Sequence, residues 1–103
     1  MVQFRWTYGS PHQLRRQYER ESLATRKYGK QVGRRYVQRV NALYDATDWA
    51  AIRSIQSFRA HPLTQNRAGQ WALVLTGQWR LIVTLSNNEE AVTVEEVSNH
   101  YDD

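Results

Sequence analysis

Cysteine is absent from this sequence, which excludes disulfides and thiolate zinc sites and favours the cytosol as compartment. Long apolar runs are absent too. The longest, Trp71-Ala72-Leu73-Val74-Leu75 and Leu81-Ile82-Val83, fall far short of the roughly 20 residues that cross a bilayer, so a soluble, cytoplasmic protein with no membrane partner is expected. Met1-Val2-Gln3-Phe4-Arg5-Trp6 lacks the apolar stretch behind a basic start that a secretory signal needs. The three histidines, His12, His61 and His100, are too scattered to form a local metal motif, and no metal or other cofactor is expected. No repeat, low-complexity tract or linker divides the 103 residues, which therefore predict a single domain over 1–103.

What is plentiful is positive charge, and it is unevenly placed. Residues 1–44 hold ten Arg and Lys against Glu19 and Glu21, a net +8, whereas residues 45–103 hold four Arg against eight acids, a net −4. Such a concentration favours a polyanionic partner through counterion release and steering, with nucleic acid the usual one in a small basic protein. The same pattern also describes an ordinary solvated helix face.

The order of elements follows from periodicity. Phe4-Arg5-Trp6 alternates, so residues 2–7 read as a short strand. Ser10-Pro11-His12-Gln13 then supplies an N-cap serine, a proline at the first helical position and a glutamine at N3. The helix this starts carries Leu14, Tyr18, Leu23, Ala24 and Tyr28 to a C-cap at Gly29, with a slip of phase between Tyr18 and Leu23 that admits a break. A second helix over 30–46 places Val32, Tyr36, Val37, Val40, Leu43 and Tyr44 at helical spacing, with Arg34, Arg35 and Arg39 largely away from them. The tight junction at Lys27-Tyr28-Gly29-Lys30 makes the pair a helical hairpin. A short third helix, capped by Thr47 or Asp48, brings Trp49, Ile52 and Ile55 to the same core.

After Phe58 the period becomes two. Trp71, Leu73 and Leu75 share one face, Thr76-Gly77 reverses the chain, and Trp79, Leu81, Val83 and Leu85 share a face again. Ala91–Val97 completes an antiparallel meander. Arg59–Thr64 adds a short strand that Pro62 confines to an edge or a strand end. The fold class is thus α+β: an N-terminal strand, a helical hairpin and a short third helix on one face of a C-terminal antiparallel sheet, the other face being open.

RNA is cleaved without metal when a base takes the ribose 2′-hydroxyl proton, cations stabilise the phosphorane and an acid protonates the leaving 5′-oxygen. Histidine serves as base or acid near neutral pH, and arginine grips phosphate with a fixed fork of donors. The candidates are His61 at the entry to the sheet, Arg67 in the loop that follows, Arg80 opposite in phase to Trp79 and Leu81, and His100 with Tyr101 beyond the last strand. Each also has a plainer reading: His61 as a strand end, Arg80 as an exposed or indole-stacked strand residue, and His100 and Tyr101 as tail. Trp71 and Trp79, in phase with leucines, read as core, and His12 as solvent-facing.

The segments Arg59-Ala60-His61-Pro62-Leu63-Thr64-Gln65-Asn66-Arg67-Ala68-Gly69-Gln70-Trp71, Gly77-Gln78-Trp79-Arg80-Leu81-Ile82 and Val94-Glu95-Glu96-Val97-Ser98-Asn99-His100, with the hairpin from Arg26 through Leu43, resemble the HigB-like plasmid-maintenance killer proteins of the RelE/ParE toxin superfamily. The resemblance covers roughly residues 20–100. It implies a RelE-like fold and the toxin of a type II toxin–antitoxin system, a metal-independent endoribonuclease acting on translated mRNA in the ribosomal A site. It also implies a helix-turn-helix antitoxin as partner, with operator DNA reached only through their complex. His61, Arg80 and His100 take the family's functional places, and Arg67 is a further match.

Two departures matter. The family's Lys-Gly-Asp after His-Pro-Leu reads Thr64-Gln65-Asn66, and its Asp-Tyr-His ending reads Ser98-Asn99-His100, so a cation and an acid are missing. Either catalysis is weaker or Arg67 and Tyr101 take over those tasks. Two rival functions stay open on the sequence: a ParE-like block of DNA gyrase by binding, and a catalytically weak homologue that serves as operon corepressor with its antitoxin.

Overall fold

The change of period near residue 58 divides helices from sheet as expected. The computed structural model describes residues 3–6, 11–64, 67 and 69–99. In chain order the elements are β1 (Gln3–Trp6), α1 (Pro11–Glu19), α2 (Glu21–Tyr28), α3 (Lys30–Asp45) and α4 (Trp49–Arg53), then a 3-10 turn (Gln56–Phe58), β2 (His61–Pro62), β3 (Gln70–Thr76), β4 (Trp79–Leu85) and β5 (Ala91–Ser98). The sheet order is β1-β5-β4-β3-β2. The meander β3-β4-β5 is antiparallel, β2 is an antiparallel edge strand, and β1 adds a parallel edge beside β5, with Gln3 opposite Ala91 and Trp6 opposite Val94.

One face of the sheet is the core. Leu73, Leu75, Leu81, Val83, Val92 and Val94 are fully buried together with Tyr36, Val40 and Leu43 of α3 and Trp49 and Ile52 of α4. Each such aliphatic side chain contributes about 1.5–3 kcal/mol through its removal from water. Asp48 is the α4 cap, its Oδ1 accepting from the Ala51 amide at 2.9 Å. Phe4 stacks on Tyr44 at 4.1 Å between ring centroids, which fastens β1 to α3. The serine expected to cap α1, Ser10, lies outside the described residues.

The phase slip between Tyr18 and Leu23 is a real break. Arg20 leaves the helical region (φ −130°, ψ 96°) and separates α1 from α2. Two tyrosine hydroxyls then tie the pieces together: Tyr36 donates to the Leu14 carbonyl at 2.7 Å, and Tyr28 donates to Gln17 Oε1 at 2.7 Å. At the α2–α3 junction Gly29 adopts φ 93°, a conformation open to glycine. Gly33, to which the sequence assigned no role, sets how closely α2 and α3 approach: a Cβ there would stand 2.6 Å from the Thr25 nitrogen.

The basic residues of α3 do not form the solvent-facing trio expected. Arg39 is buried. A register shift between Val74 and Thr76 bulges β3 and turns carbonyls out of its ladder. Arg39 donates to Val74 O through Nε at 3.2 Å and Nη2 at 3.0 Å, and Arg35 donates to Leu75 O at 2.8 Å. Arg39 also donates to the side chain of Gln38 and to Ser57 O, and its guanidinium lies 4.4 Å from the Phe58 ring centroid. Burial, with the neighbouring Arg35 charge, lowers its pKa from the usual arginine value. Of the three arginines, Arg34 alone is exposed.

Candidate active site on the open face of the sheet

The alternation that buries leucines on one side sends a second set of residues to the other. Three rows of register partners cross the open face: Gln70, Thr84 and Thr93; His61, Ala72, Ile82 and Glu96; and Val74, Arg80 and Ser98. Leu63, Ala72 and Ile82 form a small buried apolar cluster on this side, a floor between the polar groups.

His61 stands at the β2 end of the middle row. Its Nδ1 lies 2.8 Å from the Arg59 carbonyl oxygen, and its Nε2 is shielded from solvent. Arg59 is one of two described non-glycine residues with positive φ (47°, ψ 45°). Such a left-handed conformation costs an ordinary residue on the order of 1 kcal/mol.

Arg80 shares this face, one pleat repeat along and two strands across from His61, roughly 12 Å between Cα atoms. Its Nη1 donates to Gly77 O at 2.7 Å and to Trp79 O at 3.0 Å, so the guanidinium is folded back on the β3–β4 turn. Arg67 is held at the opposite end, its Nε donating to Gln70 Oε1 at 2.8 Å. The three candidates therefore occupy successive levels of one face, with His61 at the middle level. His100 and Tyr101 lie outside the described residues; β5 ends at Ser98, in register with Arg80.

Two carboxylates on this face were not singled out from the sequence. A register shift in β5 sets Ile82 opposite Glu96 and Val83 opposite Val94, leaving Glu95 as the extra residue. Thr84 Oγ1 donates to Glu95 Oε2 at 2.7 Å, and Glu96 is exposed while Val97 packs against the core. The signal was two acids between two valines, a slip of phase that only a bulge resolves. Among the described residues no three His, Asp or Glu side chains gather as a metal-ligating group, and no helix is long and apolar enough to cross a membrane.

A group of exposed cations lies along the helices. Arg16, Arg26 and Lys27 border a groove floored by Leu23, and Arg26, Lys30 and Arg34 border the next one along α2 and α3. Among the described residues the one ion pair is Arg15–Glu19, at 3.1 Å.

No protein-family model matches the chain, and no curated protein matches it. Solved structures do. A YoeB/ParE toxin from Agrobacterium tumefaciens superposes with TM-score 0.57 at 20% identity, over 97% of this chain and 100% of that one. YafQ from E. coli gives TM-score 0.61 at 14% identity, over 95% and 92%. A chain of the heterotetrameric YoeB–YefM toxin–antitoxin complex from Staphylococcus aureus gives 0.56 at 16% identity, over 98% and 99%. The chain has the fold of these RelE-like toxins.

Proposed function

We propose that this chain is the toxin of a type II toxin–antitoxin pair, a metal-independent endoribonuclease that cuts mRNA in the ribosomal A site. The observation that carries the reading is the placement of His61 between two levels of guanidinium, Arg80 and the Gln70-held Arg67, on the sheet face that no helix among the described residues covers. In this scheme the groups that cover Nε2 of His61 move aside as RNA enters, Nε2 takes the proton of a ribose 2′-hydroxyl, and that oxygen attacks the adjacent phosphorus. The bond to the 5′-oxygen breaks, leaving a 2′,3′-cyclic phosphate and, once the leaving oxygen is protonated, a 5′-hydroxyl end. The 2′-hydroxyl requirement excludes DNA. Arg80 swings from the turn carbonyls to the phosphate and stabilises the charge of the phosphorane. His100, two residues beyond Ser98, supplies the proton to the leaving group, with Tyr101 and Arg67 filling the tasks of the missing family acid and cation.

The HigB-like type within this fold rests on the His-Pro-Leu, Gly-Gln-Trp and Trp-Arg motifs. The partners are a helix-turn-helix antitoxin, through which alone operator DNA is met, and the translating ribosome in the cytoplasm. Support for an antitoxin comes from the YoeB–YefM neighbour, which is itself a toxin–antitoxin complex. Support for the ribosome comes from the exposed row Arg26, Lys30 and Arg34, suited to RNA phosphates.

The test is primer extension on a reporter mRNA after brief expression of the wild type, His61→Ala and Arg80→Ala, with and without translation. New ends that require translation and fall about 100-fold or more in either variant are the expected result. Growth arrest without such ends would instead indicate a gyrase block, and no arrest would indicate a corepressor.

A further inference from the structure

We propose that Arg59 is a positioning residue that works through its backbone: its left-handed conformation aims the residue-59 carbonyl at His61 Nδ1 and thereby decides which ring nitrogen carries the proton. A carbonyl oxygen only accepts, so at 2.8 Å the Nδ1 of His61 must be the donor. A neutral imidazole has a single ring proton. With it on Nδ1, the lone pair is on Nε2, the atom that must accept a proton from substrate. This inference rests on the reading of His61 as base.

Arg59 is clamped from both sides. Before it, its amide donates to Gln56 O at 3.1 Å, and the adjacent Phe58 is buried beneath the Arg39 guanidinium. After it, His61 is fixed in register opposite Ala72 and Leu63 donates its amide to Gln70 O at 2.9 Å. Between these anchors the chain must pass from the 3-10 turn to the edge strand in two residues, and it does so by φ 47° at Arg59. The Arg59 side chain is exposed, outside this arrangement. The conformation therefore matters and the guanidinium does not, which separates this role from phosphate binding.

The experiment compares the full chain as wild type, Arg59→Gly, Arg59→Asn and Arg59→Val. Glycine takes the left-handed region freely and asparagine more readily than most, while a β-branched residue resists it. Long-range 1H–15N correlation of the His61 ring reads the tautomer directly. The expected result is a dominant Nδ1–H form in wild type, Gly and Asn, and a mixed population in Val. mRNA cleavage should stay within about twofold in Gly and Asn and fall about tenfold in Val, with little change in RNA affinity. The amide spectrum of β3–β5 serves as the folding control, and Arg59→Ala gives a smaller shift in the same direction should Val not fold. An unchanged Nδ1–H form in Val, or in Ala where Val does not fold, would overturn the proposal, as would a changed tautomer in Gly. Tautomers as expected with no cleavage by any form, wild type included, would uphold the positioning role and remove the ribonuclease reading.

Discussion

The guanidinium of Arg39 reaches across from α3 to the Val74 carbonyl in the bulged part of β3. The bulge and the cation need each other: the register shift releases an acceptor, and the buried cation satisfies it. Replacing Arg39 with alanine removes the donor to the Val74 and Ser57 carbonyls and uncovers Phe58. The expected loss is about 3 kcal/mol in urea unfolding. The control is Arg34→Ala, on the same helix and exposed, which should stay within about 0.5 kcal/mol. Equal effects of the two would contradict the structural role given to Arg39.

Gly33 fixes the spacing of the helical hairpin. A methyl group there meets the Thr25 nitrogen at 2.6 Å and its Cα at 2.7 Å, both main-chain atoms that cannot rotate aside. Gly33→Ala should therefore destabilise by about 3 kcal/mol despite the better helix propensity of alanine. A midpoint equal to or above wild type would show that α2 and α3 separate without strain.

Alkaline pH should unfold the protein through its buried tyrosines. Burial, followed by the neighbouring Tyr28, Tyr44 and Tyr18, raises the Tyr36 pKa far above its ordinary value of 10.0, and burial also raises that of Tyr28. In the unfolded chain these phenols ionise near pH 10 while the folded chain keeps them neutral. The stability they contribute is thus complete below pH 10 and falls as pH rises beyond it, by up to about 1.4 kcal/mol per pH unit for Tyr36. Tyr36→Phe should cost about 1 kcal/mol at neutral pH, through the lost bond to Leu14, yet flatten the decline above pH 10. Parallel curves for the two proteins would contradict this.

The exposed cations of α2 and α3 predict a salt signature. Changing Arg26, Lys30 and Arg34 together to alanine should weaken ribosome association and lower the slope of log affinity against log salt by about 2. Unfolding should be little affected, because none of the three is buried. An unchanged slope would move the ribosome contact elsewhere.

Much of the architecture is legible in the residues themselves. Trp71, Leu73 and Leu75, and then Trp79, Leu81 and Val83, name the core face by alternation, Asp48 marks the start of α4, and Gly29 marks the hairpin junction. Arg39 was hidden because hydrophobic spacing counts a cation as outward, although position 39 lies on the same stripe as Tyr36, Val40 and Leu43; its acceptors exist only once β3 bulges. The site was half legible. His61 and Arg80 follow from residue type and strand phase, and they do share a face. Glu95 and Glu96 share that face only through the β5 bulge, since strict alternation sends two adjacent residues to opposite sides. The left-handed turn at Arg59 leaves no mark, since arginine has no preference for it.

The parallel pairing of β1 with β5 sets an order in time. The strand synthesised earlier, Gln3–Trp6, has its partners at Ala91–Val94, so during translation it must wait unpaired until almost all of the intervening chain has been made. Contacts this distant in sequence form late, and a sheet that depends on them assembles late. β5 also carries Ser98, the neighbour of Arg80 in the lowest row of the open face. Under the proposed activity, the cutting surface is among the last parts of the molecule to be completed, because its lowest row waits on the strand that the first one also needs.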